Sequence, residues 1–376
     1  MEQAINQVSE KSSPKLRIGS LDLFKIFCAL VIVFYHSIAN FGCDYGIANP
    51  FFEMGSVFMT AFFVLSGFCI FYSTKKMDTG NVKDIFKFYL KRVLTLFPLY
   101  YIVAIIVVVF FTKENPQNVF ILLPFELLGL QSAIPGLRFI SHNAGTWFVS
   151  CIFICYLLYP LVLVFARKMK NYQKFILIGT IASLLMFAPV VEYRFNLLSL
   201  YDNAFFRFGE FAIGVLLSSM LEDFKNKKFS KYYFNVFVAI FLLVVQIFLT
   251  YVFFYNHIDI DKRMYYEVFS LPLFAMMIFA LGGVSNKHIN KSKVLKYIAM
   301  LCYPLYLVQL LSPWAKFIVD NLHITNNVLL IISAFVIYVL FAVIANEVVQ
   351  RPMGILTKYL FKKIENKEES GHERTN

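Results

Sequence analysis

The sequence predicts an all-α, polytopic membrane helix bundle of about ten transmembrane helices with both termini cytoplasmic. Three observations predict it. Of 376 residues, 59% are hydrophobic and only 15% charged, and the mean hydropathy is +0.66, far from the composition of a soluble domain. The apolar residues fall into runs of roughly 20, the length at which an α-helix crosses a hydrocarbon core about 30 Å thick. Lysine and arginine are distributed unevenly: 27 fall on one side of the expected spans, 6 on the other and 2 within spans. The positive-inside rule then puts both termini in the cytosol. The net charge of +12 arises from these basic connections, which suit anionic headgroups rather than nucleic acid.

Each element has its own signature along the chain. Residues 1–19 are polar, with no apolar core or small-residue cleavage site, and read as a cytosolic tail before an uncleaved signal anchor. Spans are expected near 20–40, 50–73, 94–112, 145–165, 173–190, 203–221, 233–255, 264–283, 296–315 and 327–349, all within a membrane domain over 20–352. Between the second and third, Ile85, Phe86, Tyr89 and Leu90 share one face of a lysine-rich stretch, the pattern of an interfacial amphipathic helix. Residues 113–144 form the longest external loop, whose FILLPFELLGL is too short and Pro-interrupted to span. Residues 353–376 read as a charged cytosolic tail, unstructured after Lys362. Five of the six cysteines (Cys28, Cys43, Cys69, Cys151, Cys155, Cys302) lie in apolar runs. With no Cys-x-x-Cys pair and no ligand spacing with histidine, they read as small core residues, and no metal is expected.

The first span carries Lys25 and His36 inside FKIFCALVIVFYHSIANF. Eleven residues advance three turns plus roughly 20° and rise about 16 Å, so both side chains share one stripe, with Asp22 near it one turn below Lys25. Ionisable groups inside a span face the bundle interior or a water-filled cavity. Lys25 reads either as a lysine snorkelling to the interface, paired with Asp22, or as part of a site. His36 reads either as a packed histidine or as a base able to take a hydroxyl proton near neutral pH. Arg207 and Glu210, three residues apart, face one side of the sixth span, either as an internal ion pair or as substrate contacts. Ser66 in LSGF reads as a small packing residue more readily than as a nucleophile. Arg92 reads as an anchor at a helix end. Trp147 reads as an aromatic-belt residue or a sugar-stacking platform. His142, His257, His288 and His323 sit in expected loops and receive no role.

Six stretches in order resemble the membrane acyltransferase 3 family, integral-membrane acyltransferases that modify bacterial surface glycans. LDLFKIFCALVIVFYH (Leu21 to His36) is similar to that family's basic residue, ten residues and histidine. FFVLSGFCI (Phe62 to Ile70) resembles its Phe-Phe-x-Leu-Ser-Gly-Phe segment, and KRVLTLFPLY (Lys91 to Tyr100) its Arg-x-x-Arg-x-x-Pro stretch. TWFVSCIFICYLLYP (Thr146 to Pro160), RFGEFAIG (Arg207 to Gly214) and CYPLYLVQ (Cys302 to Gln309) resemble three later elements. The sequence departs at Thr95, where the second arginine is usual, at Cys151, where many members have Glu, and at Gln309, where many have His.

The resemblance implies transfer of an acyl group, acetyl by preference, from acyl-CoA to a hydroxyl of a surface polysaccharide or its lipid-linked precursor. It implies a multi-pass protein of the cytoplasmic membrane, with acetyl-CoA or another acyl-CoA as donor and no permanently bound cofactor. His36 is then the expected catalytic base. Lys25, Arg92, Lys91, Asp22, Ser66, Trp147, Arg207 and Glu210 are the expected substrate- and donor-binding residues, with Lys91 standing in for the arginine missing at Thr95. A secondary transporter or exporter of a glycan precursor or small solute is the alternative, although no repeat symmetry supports it. A non-catalytic scaffold would not need Lys25, His36, Arg207 and Glu210 inside lipid.

Overall fold

The computed structural model describes residues 17–111, 116–134, 136–137, 141, 144–195, 200–224, 232–256, 263–284 and 286–372. Among them the regular secondary structure is all helical, with no strand. The helices are α1 (Gly19–Phe41), α2 (Asn49–Glu53), α3 (Phe58–Thr74), α4 (Val82–Phe110), α5 (Pro116–Leu127), α6 (Trp147–Lys168), α7 (Asn171–Phe195), α8 (Ala204–Phe224) and α9 (Tyr232–Tyr255). They continue with α10 (Arg263–Gly282), α11 (Lys287–Lys291), α12 (Lys293–Val308), α13 (Ser312–Asn321), α14 (Asn327–Ala345) and α15 (Arg351–His372).

Short polar signals set the helix limits. Asn81 accepts from the Lys83 N–H at 2.9 Å to start α4, and Asn326 accepts from Val328 and Leu329 to start α14. Gly42, at φ 72°, closes α1 in the left-handed region, its N–H bonding to the Ile38 carbonyl at 3.0 Å.

Among the described residues, nine helices are long and apolar enough to cross a membrane. The expected tenth span is present as α10, but its described apolar stretch, Glu267–Gly282, is shorter than the rest. Other expectations need correction. The amphipathic segment and the third span are one helix, α4, and the buried residue of its first turns is Phe88 rather than Phe86, which points outward. The ninth span breaks: α12 ends at Val308, a 3-10 turn covers Gln309–Leu311, and α13 comes next. The last span runs through a π-turn at Asn346–Gln350 directly into α15, so the expected tail is helical as far as His372. FILLPFELLGL falls largely on α5, a 12-residue helix.

Helices α3 and α8 form the centre, with 78% and 72% of their apolar windows enclosed, against 11% for α7 and 22% for α9, which face lipid. Two glycines permit that centre. A Cβ on Gly67 would lie 1.9 Å from the Phe211 carbonyl oxygen, and one on Gly214 would lie 1.9 Å from the Val64 carbonyl oxygen. The two backbones therefore cross at a distance only glycine allows. The close-packing role expected of Ser66 belongs to its neighbour Gly67.

Candidate functional site

Inside the bundle lies a cavity of about 380 Å³, lined mostly by apolar side chains of α1, α3, α4, α6 and α12, with the 3-10 turn and the π-turn completing it. Its α1 wall is Lys25, Ala29 and Ile32, which share a helix face with the expected Lys25–His36 stripe. Ser66 of α3, Phe148, Ile152 and Tyr156 of α6, and Tyr303 and Tyr306 of α12 complete much of the rest. The tyrosines are held in place: Tyr303 donates to the Leu96 carbonyl at 2.6 Å, and Tyr306 donates to the Gly145 carbonyl. Exposed Thr95 and Met300 mark where the cavity opens.

Lys25 lines this cavity without an ion-pair partner among the described residues. Asp22 is not its partner: it accepts from Arg17, whose Nη1 also reaches the Ser292 carbonyl at 2.9 Å and ties α1 to the start of α12. Lys25 thus presents a half-buried cation to a mostly apolar cavity.

Two neutral groups face the same space from irregular backbone. Gln309, in the 3-10 turn, donates Nε2 to the Leu305 carbonyl at 2.8 Å. Asn346, opening the π-turn, donates Nδ2 to Glu347 at 2.9 Å. In both, the donor contact fixes which way the amide points, and the side-chain oxygen is buried without a hydrogen bond. Sequence reasoning found Gln309 only as a departure from a motif and missed Asn346. An amide inside an apolar run was the available signal.

His36 does not line the cavity. It continues the Lys25–Ala29–Ile32 stripe one turn beyond Ile32, half-buried and edge-on to Tyr35 at 5.0 Å.

A second cavity of about 510 Å³ is lined by the preceding turns of α4. Lys76, Lys87, Lys91, Arg92, Lys358 and Lys362 line it, with Asp84 as the one carboxylate among the described lining residues. Lys91 and Arg92 face this groove, while Thr95 and Leu96, one turn on, face the apolar cavity. The Arg92 guanidinium stacks 5.3 Å from the Phe88 ring and 5.2 Å from the Tyr156 ring, and Tyr156 lines the apolar cavity. Arg92 is thus the hinge between a cationic groove and an apolar shaft, with its Nε buried and unpaired.

The remaining expected site residues form a separate buried cluster. Arg207 is fully buried and bonds both oxygens of Glu210 at 3.0 Å, Glu267 at 3.2 Å, Thr60 at 3.1 Å and the Tyr201 carbonyl at 2.6 Å. Its guanidinium lies 4.6 Å from the Tyr201 ring and 5.4 Å from those of Trp147 and Phe63. Of the two readings left open for Arg207 and Glu210, the geometry is that of an internal ion pair, with Glu267 as an additional acid. Trp147 is 6% exposed and packs inside this cluster, so it does not sit in an aromatic belt. Cys151 is buried beside it, its thiol donating to the Asp202 carbonyl at 3.3 Å. Glu267, inside an apolar helix, was a legible signal that sequence reasoning passed over.

Among the other histidines, His288 lies on α11 and His323 at φ 48°, while His142 and His257 fall outside the described residues. Of the cysteines, Cys69 alone is exposed.

A family model described as an acyltransferase domain matches residues 18–347. An acyltransferase named MdmB, from Streptomyces mycarofaciens, is 27% identical over 190 residues. That match covers 48% of each chain, so the similarity spans about half the length of the relative. No solved structure matches. Since the family model covers most of the chain, including α1, the crossing of α3 and α8 and every wall of the apolar cavity up to Asn346, the protein belongs to the membrane acyltransferase 3 family.

Proposed function

We propose that the protein transfers an acyl group, acetyl in the first instance, from acyl-CoA to a hydroxyl of a surface polysaccharide or its lipid-linked precursor. The observation that carries this reading is the succession of the two cavities along α4: a cationic groove lined by Lys91 and Arg92 lies one turn from an apolar shaft lined by Thr95 and Leu96. Acyl-CoA has the matching shape, a multiply charged nucleotide joined to a long uncharged pantetheine arm that ends in the thioester. Lys and Arg suit phosphate oxygens, and an apolar shaft suits the arm. Lys25 faces the shaft near the α1 N-terminus and supplies a further cation to the donor. The amide oxygens of Gln309 and Asn346 suit the arm's N–H groups. In this reading Asp22 acts indirectly, through its bond to Arg17 at the base of α1. Ser66 gives the arm a small polar wall. Arg207, Glu210 and Trp147 support the site from the core rather than touching the donor.

His36, further along the stripe, is the proposed base. Its nitrogen takes the proton of the acceptor hydroxyl while the hydroxyl oxygen attacks the thioester carbonyl. The C–O bond forms, the C–S bond breaks, and the proton passes to the departing CoA thiolate. A positioned base of this kind contributes about 10²–10⁴-fold. Acyl transfer of this kind needs no redox partner, and the protein would act as a multi-pass enzyme of the cytoplasmic membrane alongside glycan synthesis or export.

The test is a reconstituted assay that tracks free CoA thiol with acetyl-CoA and a purified surface glycan. Thiol release should depend on both substrates, and NMR of the glycan should show new O-acetyl signals. His36→Gln should abolish both while leaving membrane insertion intact, because an amide hydrogen-bonds but does not take the proton. Near-wild-type acylation by His36→Gln would make the histidine a packing residue. Uptake of the glycan precursor without any thiol release would favour a transporter instead.

A further inference from the structure

Helix α15 begins at Arg351, beyond the residues that the family model matches. It does not hang free. The π-turn carries it directly out of α14, Arg351 pairs with Glu347 at 2.6 Å, and the helix packs back along α4. Its two long sides differ. Ile355, Leu356 and Tyr359 are exposed on one, the face of a helix resting against an apolar phase. Thr357, Lys358, Phe361 and Lys362 lie at positions i, i+1, i+4 and i+5 on the other, and all four line the cationic groove.

The groove therefore has two walls of different origin. One is Lys76 with Lys87, Lys91 and Arg92 of α4, inside the family segment. The other is α15, which lies C-terminal to that segment. Among the described residues, Lys76, Arg92, Lys358 and Lys362 bring cations to this space from both walls, and Asp84 brings a carboxylate. Lys358 and Lys362 have no carboxylate partner among the described residues. Lys358 and Lys362 are exposed at the groove mouth, so an anion entering it would meet cations from both helices at once. Two lysine ammonium groups one turn apart suit a doubly charged phosphomonoester better than a single carboxylate.

We infer that α15 and α4 together form a phosphomonoester subsite, in which Lys358 and Lys362 bind the 3′-phosphate of the CoA donor. This rests on the donor reading above and adds to it a specificity: the protein tells CoA from 3′-dephospho-CoA. The pyrophosphate, nearer the arm, falls to Lys91 and Arg92, which lie one turn from the shaft. A lipid phosphate headgroup has the same chemistry, and α15's exposed apolar side brings it close, so the two sources need separate arms of the test.

The experiment uses the purified full chain in phosphatidylcholine nanodiscs, titrated with CoA and with 3′-dephospho-CoA. CoA should bind about tenfold more tightly, the difference that charge-assisted contacts to one phosphate supply. The double substitution Lys358→Gln/Lys362→Gln should bring CoA down to the affinity of dephospho-CoA and leave dephospho-CoA itself unchanged. Lys358→Arg/Lys362→Arg should restore the preference, which separates charge recognition from loss of the helix. In nanodiscs containing phosphatidylglycerol, a headgroup competing for the groove would weaken CoA binding to the wild type and not to the glutamine variant; no such weakening assigns the site to the nucleotide alone. Equal binding of both probes by the wild type would overturn the subsite and leave the donor reading standing. So would an undiminished preference in the glutamine variant. Binding of neither probe would overturn both.

Discussion

Arg207 shows how one side chain organises the centre of the bundle. It brings a positive charge into an apolar interior, and Glu210 and Glu267, each 1% exposed, compensate it while aromatic rings cover its faces. Removing one member of such a cluster leaves the others uncompensated. Arg207→Met should therefore destabilise the protein by about 3–5 kcal/mol, read as a lowered thermal unfolding midpoint in detergent. Adding Glu210→Gln and Glu267→Gln should recover most of that loss, because the stranded carboxylates go with the cation. A variant Arg207→Met with wild-type thermal stability and no activity would instead make the arginine a substrate contact. Arg92 gives the contrasting case. It stacks on Phe88 and Tyr156 and faces the groove with no ion-pair partner among the described residues. Arg92→Ala should raise the KM for acyl-CoA about tenfold, as expected for a lost charge-assisted contact, and leave the KM for the acceptor unchanged. The Arg207–Glu210 pair was legible because three residues place two side chains on one face. The link to Glu267 was not, because it depends on where α10 packs.

At the scale of elements, the helices were legible and their interruptions were not. Apolar runs fix where helices lie, and the spacing of Lys25 and His36 marked a stripe of α1 whose Lys25 end, with Ala29 and Ile32, walls the cavity. Whether a run stays α-helical depends on where its carbonyls find donors, which is decided by neighbouring helices. The 3-10 turn at Gln309 and the π-turn at Asn346 are therefore invisible in a pattern of hydrophobicity, yet both face the cavity. Irregular backbone inside a membrane is tolerated where it lines a cavity or is enclosed by protein. The crossing of α3 and α8 is the rigid counterpart. With Cβ positions at Gly67 and Gly214 falling 1.9 Å from backbone oxygens of the opposite helix, no rotamer change relieves a substitution. Gly214→Val should prevent accumulation of monodisperse protein. Ser66→Ala, one residue from the contact, should leave thermal stability unchanged. Gel filtration of the detergent-purified variants would distinguish them, and a well-folded Gly214→Val would mean the helices do not approach so closely.

At the scale of the whole molecule, the two sides of the bundle must carry different chemistry. The start of α1, the ends of α3 and α6 and the groove of Lys76, Lys91, Arg92 and Lys358 lie toward one side. Lys174 at the start of α7 joins it by bonding Ser219 at 2.7 Å and Asp223 at 2.9 Å near the end of α8. This is also the side to which the uneven distribution of lysine and arginine assigns the cytosol. Orientation and donor chemistry are thus one proposition: acyl-CoA is made and kept in the cytosol, so a groove for its phosphates has a use only if it faces inward. Labelling with a membrane-impermeant maleimide tests both at once. Lys168, exposed at the α6–α7 connection, lies on the basic side, and Tyr193, 85% exposed near the far end of α7, lies on the opposite one. Five native cysteines are buried, which leaves Cys69 as the one background thiol to replace. In intact cells Tyr193→Cys should react and Lys168→Cys should not, and in inverted vesicles the pattern should reverse. Labelling of Lys168→Cys from outside would turn the cationic groove away from the cytosol, and the acyl-CoA donor, with its proposed phosphate contacts, would have to be abandoned along with the topology.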